Sequence, residues 1–248
     1  MLSMLHPLPK LVMGLIWILA SILIFDLGFQ LITIALAAGT LIVLERRSPF
    51  LVLALMVPFA LFGFGFFTTS VLFRQDSPIA LQMAAETPFG ASAVSAGLIL
   101  FFRAIACGMV SAVFVLTTDP GALIKALMVH WRLPPSVGFA LFQALNLVPD
   151  LGRQMQDTRL ARAMRRGRPP RRSPGPAELV SLIVPLLAYA IRRAGRSALA
   201  MEARGLTPGG KRTITNAPML KQHDAVFAIL SASALVFAIF VSGSISIG

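Results

Sequence analysis

Over the first half of this chain the apolar residues neither alternate nor recur at helical spacing; they run on, and the polar positions punctuate the runs. From residue 11 to residue 44 the only charge is Asp26. That stretch is too long for one crossing, because a helix spans about 30 Å of hydrocarbon with about 20 residues. The pattern predicts two helices joined by a tight turn at Asp26, Leu27 and Gly28, the first over 11–25. This first helix is short, so part of the approach from Pro7 to Lys10 belongs to the membrane interface. Glu45, Arg46 and Arg47 close the second run. A third covers 49–73, where Pro58, Gly63 and Gly65 predict a kinked or closely packed helix. A fourth covers 93–117 and a fifth 225–244, giving five membrane spans. A cleaved leader is the competing reading of the first run, but a second apolar helix follows at once with no small-residue cleavage pattern between them.

Between the fourth and fifth runs the pattern changes to helical periodicity. Thr118 or Asp119 can cap a short helix with Pro120 at its first position, running through Leu123, Leu127 and His130. After Pro134 and Pro135 a second helix carries Val137, Leu141, Leu145, Val148, Leu151 and Met155 on one stripe. Its far end turns basic through Arg159, Arg162, Arg165 and Arg166, and Gly167 offers a C-cap. A third begins near Pro176 with Leu179, Ile183, Leu186, Ala190, Ala194, Ser197 and Met201 as its stripe. It becomes basic through Arg192, Arg193, Arg196 and Arg204 and stops at Gly205. The segment from Arg168 to Pro176 holds four prolines and cannot be helical, so it reads as a mobile linker. The expected class is therefore an all-α polytopic membrane protein of about five transmembrane helices plus two or three long cytoplasmic or interfacial helices. Its expected divisions are a four-span bundle over 1–117, a helical segment over 118–224 and a last span over 225–248.

Composition agrees. Hydrophobic residues make up 56% of the 248 and charged residues 13%, with a mean hydropathy of +0.81, against 45–50% apolar in soluble domains. A water-soluble globule is excluded. The net charge is nevertheless +12, and between Asp119 and Asp224 stand 17 Lys and Arg against 6 Asp and Glu. Short loops rich in Lys and Arg stay in the cytoplasm. Arg46 and Arg47 mark one turn as cytoplasmic, while the connection over 74–92 has one Arg against Asp76 and Glu86 and reads as external. The N-terminus is then expected inside, the basic segment inside and the C-terminus outside. The single cysteine, Cys107, excludes an internal disulfide, and His6, His130 and His223 are too scattered for a zinc motif.

Few positions invite chemistry. Residues 205–211, Gly-Leu-Thr-Pro-Gly-Gly-Lys, match the start of a phosphate-cradling loop, but Arg212 replaces the Ser or Thr that binds magnesium and a helix, not a strand, precedes it; a glycine-rich helix exit is the better account. Arg103 lies midway along the fourth span, where a charge is costly enough to suggest function, although a backbone carbonyl or Asp26 could hold it structurally. Asp26 sits at the expected outer turn, and a coupling-ion role competes with simple solvation. The arginine clusters can serve as an orientation signal, as contacts for anionic lipids, or as solvated helix faces. Arg166 and Arg204 differ because each ends its helix, beside carbonyls that favour a cation, and can fork into an acidic pocket. Nucleic-acid binding is set aside, since no aromatic residue interleaves the basic tips. The pairs Ala194 with Ala198, and Gly63 with Phe67, could permit close helix approach. No paired carboxylates or histidine cluster at one depth suggests an enzyme.

His6-Pro7-Leu8-Pro9-Lys10-Leu11, Thr117-Thr118-Asp119-Pro120, Leu133-Pro134-Pro135, Val148-Pro149, Arg165-Arg166-Gly167 and Ala200-Met201-Glu202-Ala203-Arg204-Gly205 together resemble the transmembrane T component of energy-coupling factor (ECF) importers, over nearly the whole chain. Ala203-Arg204-Gly205 matches the family's short arginine signature fully. At the first tip Arg165 stands where the family usually has Ala, which makes Arg166 the matching arginine and Arg165 a second candidate. Asn146 and Leu147 replace an Arg and an aromatic often found before the proline that is Pro149 here. The resemblance implies a non-catalytic scaffold joining two cytoplasmic ATPases to a membrane subunit that binds substrate (the S component). ATP and magnesium would be held by those partners and no cofactor by this chain. Arg165, Arg166, Gly167, Ala203, Arg204 and Gly205 would engage the ATPases, whose closure would move two helices past each other on apolar faces. The solute would be thiamine or its hydroxymethylpyrimidine precursor, biotin, or cobalt. A self-contained ion-coupled carrier or channel, with Asp26 and Arg103 lining its path, is the alternative.

Overall fold

The computed structural model describes residues 5–46, 48–72, 92–167, 174–206, 218–219 and 221–246. Among them are eight helices and no strand, an all-α membrane protein. The chain forms two compact units, Met1–Leu123 with Pro218–Gly248, and Ile124–Ala217. The last span thus belongs with the first four in a single unit.

In the membrane unit, α1 (Pro7–Leu23) starts where the His6 ring accepts a hydrogen bond from the Leu8 N–H, with proline at the first position. It begins four residues earlier and ends two earlier than the 11–25 expected, because this local cap, not the last charge, sets its start. Ile24 is extended and ends it. Asp26 then caps α2 (Leu27–Gly39) by accepting from the N–H groups of Gly28 and Phe29. α2 continues as a π turn, Thr40–Leu44, and Arg46 leaves it with a positive φ of 50°. α3 (Pro49–Leu72) contains Pro58, which frees the Ala54 carbonyl from the helix ladder. α4 (Ser92–Thr117) packs against α1, α2 and α3, and α8 (Gln222–Ser246) against α1 and α2.

Four of these helices contain stretches long and apolar enough to cross a bilayer, Leu27–Leu44, Pro49–Ser70, Val94–Thr117 and Gln222–Ser242; α1 is apolar but shorter, at 17 residues. Lipid tails are as apolar as leucine, so such helices associate through close packing and hydrogen bonds. Both are present. A Cβ on Gly63 would lie 2.9 Å from the Phe101 carbonyl oxygen and one on Gly108 would overlap the Phe59 ring, so two glycines set the approach of α3 to α4. Phe67, expected to pair with Gly63 on one helix, instead lies where a Cβ on Gly97 would meet it at 3.1 Å. Buried Ile34, Ala37, Leu41, Ile105, Ala106 and Met109 fill the space between α2 and α4. Ser21 Oγ donates to Gln30 Oε1 at 2.6 Å, and Trp17 Nε1 to Ser231 Oγ at 3.0 Å.

The second unit is built on α6 (Pro135–Arg166) and α7 (Pro176–Ala203). The short α5 (Pro120–His130) leads into it, capped by Asp119 through the N–H groups of Gly121 and Ala122. Arg132, at a φ of 53°, turns the chain, and the Met128 side chain fills the space a Cβ on Gly138 would need. Gly138 is the buried residue of α6 and Leu182 that of α7. Apolar side chains on both helices, among them Leu141, Val148, Val180, Val184, Leu187 and Ile191, are exposed. The linker over 168–173, the loop over 73–91 that bears on orientation, and residues 207–211 of the glycine-rich run lie outside the described residues.

Candidate functional site

Polar side chains tie α6 to α7. Arg159 Nε donates to Glu178 Oε1 at 2.8 Å. Three residues along α6, Arg162 donates to the Ser181 hydroxyl at 2.7 Å and to its carbonyl at 3.0 Å. Three turns back, Asp150 pairs with Arg193. The later residues of α6, Arg159 and Arg162, meet the start of α7, and the earlier Asp150 meets Arg193 further along it, which makes the two helices an antiparallel hairpin. The hydrogen bond from Arg159, its charge and that of Arg162 hold the Glu178 carboxyl below the usual carboxylate range. These bonds are directional and fix the register. The expectation of two helices sliding on apolar stripes therefore changes: within the hairpin the joint is polar, and the apolar stripes face outward.

The two tips share one local geometry. At the end of α6, Gly167 is left-handed, with φ 62°, and its N–H returns to the Met164 carbonyl at 3.3 Å. At the end of α7, Gly205 has φ 77°, its N–H reaches the Glu202 carbonyl at 2.8 Å, and Leu206 reaches back to Met201 at 2.9 Å. The second is a Schellman closure. Only glycine takes such φ values without a Cβ penalty, so each glycine stops its helix one residue after an arginine. α6 includes Arg166, whereas α7 ends at Ala203 and Arg204 is its cap, one residue short of the expected end. Measured from the left-handed glycine, the two arginines hold the same position.

Arg165, Arg166, Ala203 and Arg204 are all exposed. Arg165 also lines a shallow recess with Asp157 and Arg162. Because α7 begins where α6 ends, the hairpin sets the two tips a full helix length apart, about 40 Å at 1.5 Å per residue. The structure thus brings Arg165, Arg166 and Gly167 together at one end, and Ala203, Arg204 and Gly205 at the other.

Arg103 and Asp26 belong to the membrane unit. Arg103 Nη2 donates to the Ile24 carbonyl at 3.2 Å, and its guanidinium lies 4.2 Å over the Phe25 ring. Asp26 caps α2 and accepts from the Ser242 hydroxyl. Both are engaged in shaping the turn between α1 and α2 and fastening α8 to it. The interhelix ties have only a weak signal in the sequence: Asp150 and Glu178 are two of just four acids on two arginine-rich helices.

An all-α bundle of apolar helices continued by a polar hairpin with two basic tips defines a polytopic membrane component, not a soluble domain. The family model described as CbiQ, cobalt transport protein, matches residues 1–215. The chain belongs to that family, the T components of ECF transporters, and is a membrane component of transport. A search of the curated proteins finds no match.

Proposed function

We propose that this chain is the coupling subunit of an ATP-driven importer, transmitting motion from two cytoplasmic ATPases to a substrate-binding membrane subunit. The observation that carries the reading is the pair of equivalent, exposed, glycine-stopped arginine tips held about 40 Å apart at opposite ends of one polar-locked hairpin. One tip would serve each ATPase. Arg166 and Arg204 would enter acidic grooves there, with Arg165 adding charge at the first. Each guanidinium offers a planar fork of donors suited to a carboxylate. ATP and magnesium belong to the partners. The exposed apolar face of α6 and α7, with Leu141, Val148, Val180, Val184 and Leu187 on it, is where the S component would rest. Exposed patches of this kind mark docking surfaces. The basic segment lies on the cytoplasmic side, as do the N-terminus and anionic lipid headgroups, and the C-terminus lies outside. The commitment of Asp26 and Arg103 to the α1–α2 turn favours this reading over a self-contained carrier.

The test is the double variant Arg166→Glu with Arg204→Glu. Isolated from its native membrane through a tag, it should lose both ATPases by about tenfold or more, as expected when one side of a close ion pair is removed, while the chain remains inserted. Retention of both at wild-type stoichiometry overturns the proposal. Cobalt, named in the family's description, is the first solute to follow by radiolabelled uptake, beside thiamine and biotin.

A further inference from the structure

Two sequence motifs without a role in this reading meet inside the membrane unit. Lys10, near the start of α1 and 6% exposed, donates from Nζ to the Thr117 carbonyl at the end of α4, 2.8 Å away. The start of α8 closes on the same N-terminal turn. The His6 backbone N–H donates to Asp224 Oδ1 at 2.7 Å, and the Lys221 N–H to Asp224 Oδ2 at 2.8 Å. The His6 ring accepts from the Leu8 N–H through Nδ1 and so donates from Nε2 to the Pro218 carbonyl, at 3.2 Å. His6 and Asp224 are 3% and 4% exposed. The charges of Glu45 and Asp224 both act on Lys10.

Burying a lysine and an aspartate is costly and seldom adds net stability, so what such groups contribute best is a fixed geometry. The geometry fixed here is specific. The membrane unit runs to Leu123 and resumes at Pro218, so the chain joins the hairpin to this unit near Thr117 and Pro218. Both points are fastened to the first turn of α1. Beside Lys10 lies an apolar cavity of about 250 Å³, lined by Met13, Trp17, Val113, Phe227 and Leu230 among others. Side-chain packing is therefore interrupted among α1, α4 and α8, and the polar bonds hold this end.

We propose that His6, Lys10 and Asp224 are positioning residues that form a buried clasp, fastening both ends of the coupling segment to α1 so that movement of the hairpin reaches the membrane helices. The inference rests on the coupling role proposed above. Cys107, whose Sγ lies 3.6 Å from Ser21 Oγ of α1, reports on the α1–α4 contact without any labelling site being introduced.

The complex carried by the full chain is isolated from its native membrane. ATP hydrolysis and the rate at which N-ethylmaleimide alkylates Cys107 are measured with and without ATP. Wild type and Lys10→Arg should change their alkylation rate by about fivefold or more with ATP, the lower end of allosteric coupling. His6→Asn, which keeps a good N-cap but loses the bond to Pro218, and Lys10→Met should still hydrolyse ATP yet show no such change. An ATP response equal to wild type in both variants overturns the clasp, as does the absence of any response in wild type. Hydrolysis lost together with the response would reveal a folding element only and also overturns it. If no ATPase accompanies the wild-type chain, the coupling role itself fails, a result separate from the others.

Discussion

Glu178 shows how one side chain governs the hairpin. Its pKa is depressed in the folded chain, first by the hydrogen bond from Arg159, so the carboxylate form is the one the structure favours. The contribution of that bond is complete above the unfolded carboxyl value of about 4.3 and is lost as pH falls through the lower, folded value. Spin labels on α6 and α7 should therefore give a constant distance from neutral pH down to about 5, with loosening only below the ordinary carboxylate range. Loosening that began near pH 6 would contradict the assignment of the tie to Glu178. The left-handed glycines make a second prediction. Gly167→Ala has open space around its Cβ, so its cost is conformational alone, about 1 kcal/mol. Hydrogen exchange in the last turn of α6 should quicken by about fivefold, and the grip of Arg166 should weaken without any change in charge. Exchange equal to wild type would show that the cap does not hold the tip.

Among the helices, the approach of α3 to α4 depends on absent side chains, and Gly63 is the one that faces backbone. A Cβ at Gly63 meets a backbone oxygen, which cannot move aside, whereas Gly65, two residues on, has nothing within 4 Å. Gly63→Ala should cost about 1–3 kcal/mol through overpacking, while Gly65→Ala should be neutral or raise stability by up to about 1 kcal/mol through helix propensity. Thermal unfolding of the two variants in detergent separates them, and equal midpoints would contradict the packing argument. The same contrast explains what was legible in the sequence. Helix ends set by local chemistry could be read from residues: Asp119 and Pro120 start α5, Gly167 ends α6, and Pro176 opens α7. α1 starts earlier than the last charge implies because the His6 ring caps it, a role histidine seldom signals in a sequence. What depends on a partner far along the chain could not be read. Nothing near Arg159 names Glu178, nothing near Gly63 names Phe101, and Lys10 gives no sign of Thr117. The tips were legible as motifs, but their separation was not, since it follows from an antiparallel pairing that only the interhelix bonds reveal.

For the molecule as a whole, orientation turns on α1. Its 17 residues reach about 25 Å, less than the hydrocarbon thickness of about 30 Å. If it crosses, five spans put the termini on opposite sides of the membrane; if it stops short, four spans put them on the same side. In the orientation proposed above, the basic hairpin resists translocation and lies in the cytoplasm under either count, so that α8 would carry the C-terminus out. The N-terminus therefore decides the count. His6 and Lys10 tie the first turn of α1 to Thr117 and Asp224, the two ends of the segment that the charge holds inside, so that turn should lie at the cytoplasmic face and α1 should cross, with the interface or a thinned bilayer taking up the shortfall. Alkaline phosphatase fused after residue 248 should be active in intact cells, and the same enzyme fused before Met1 should be inactive. Activity at both ends would mean that α1 does not cross and that the N-terminal turn lies on the face opposite the hairpin, an arrangement in which the bonds of His6 and Lys10 could not form.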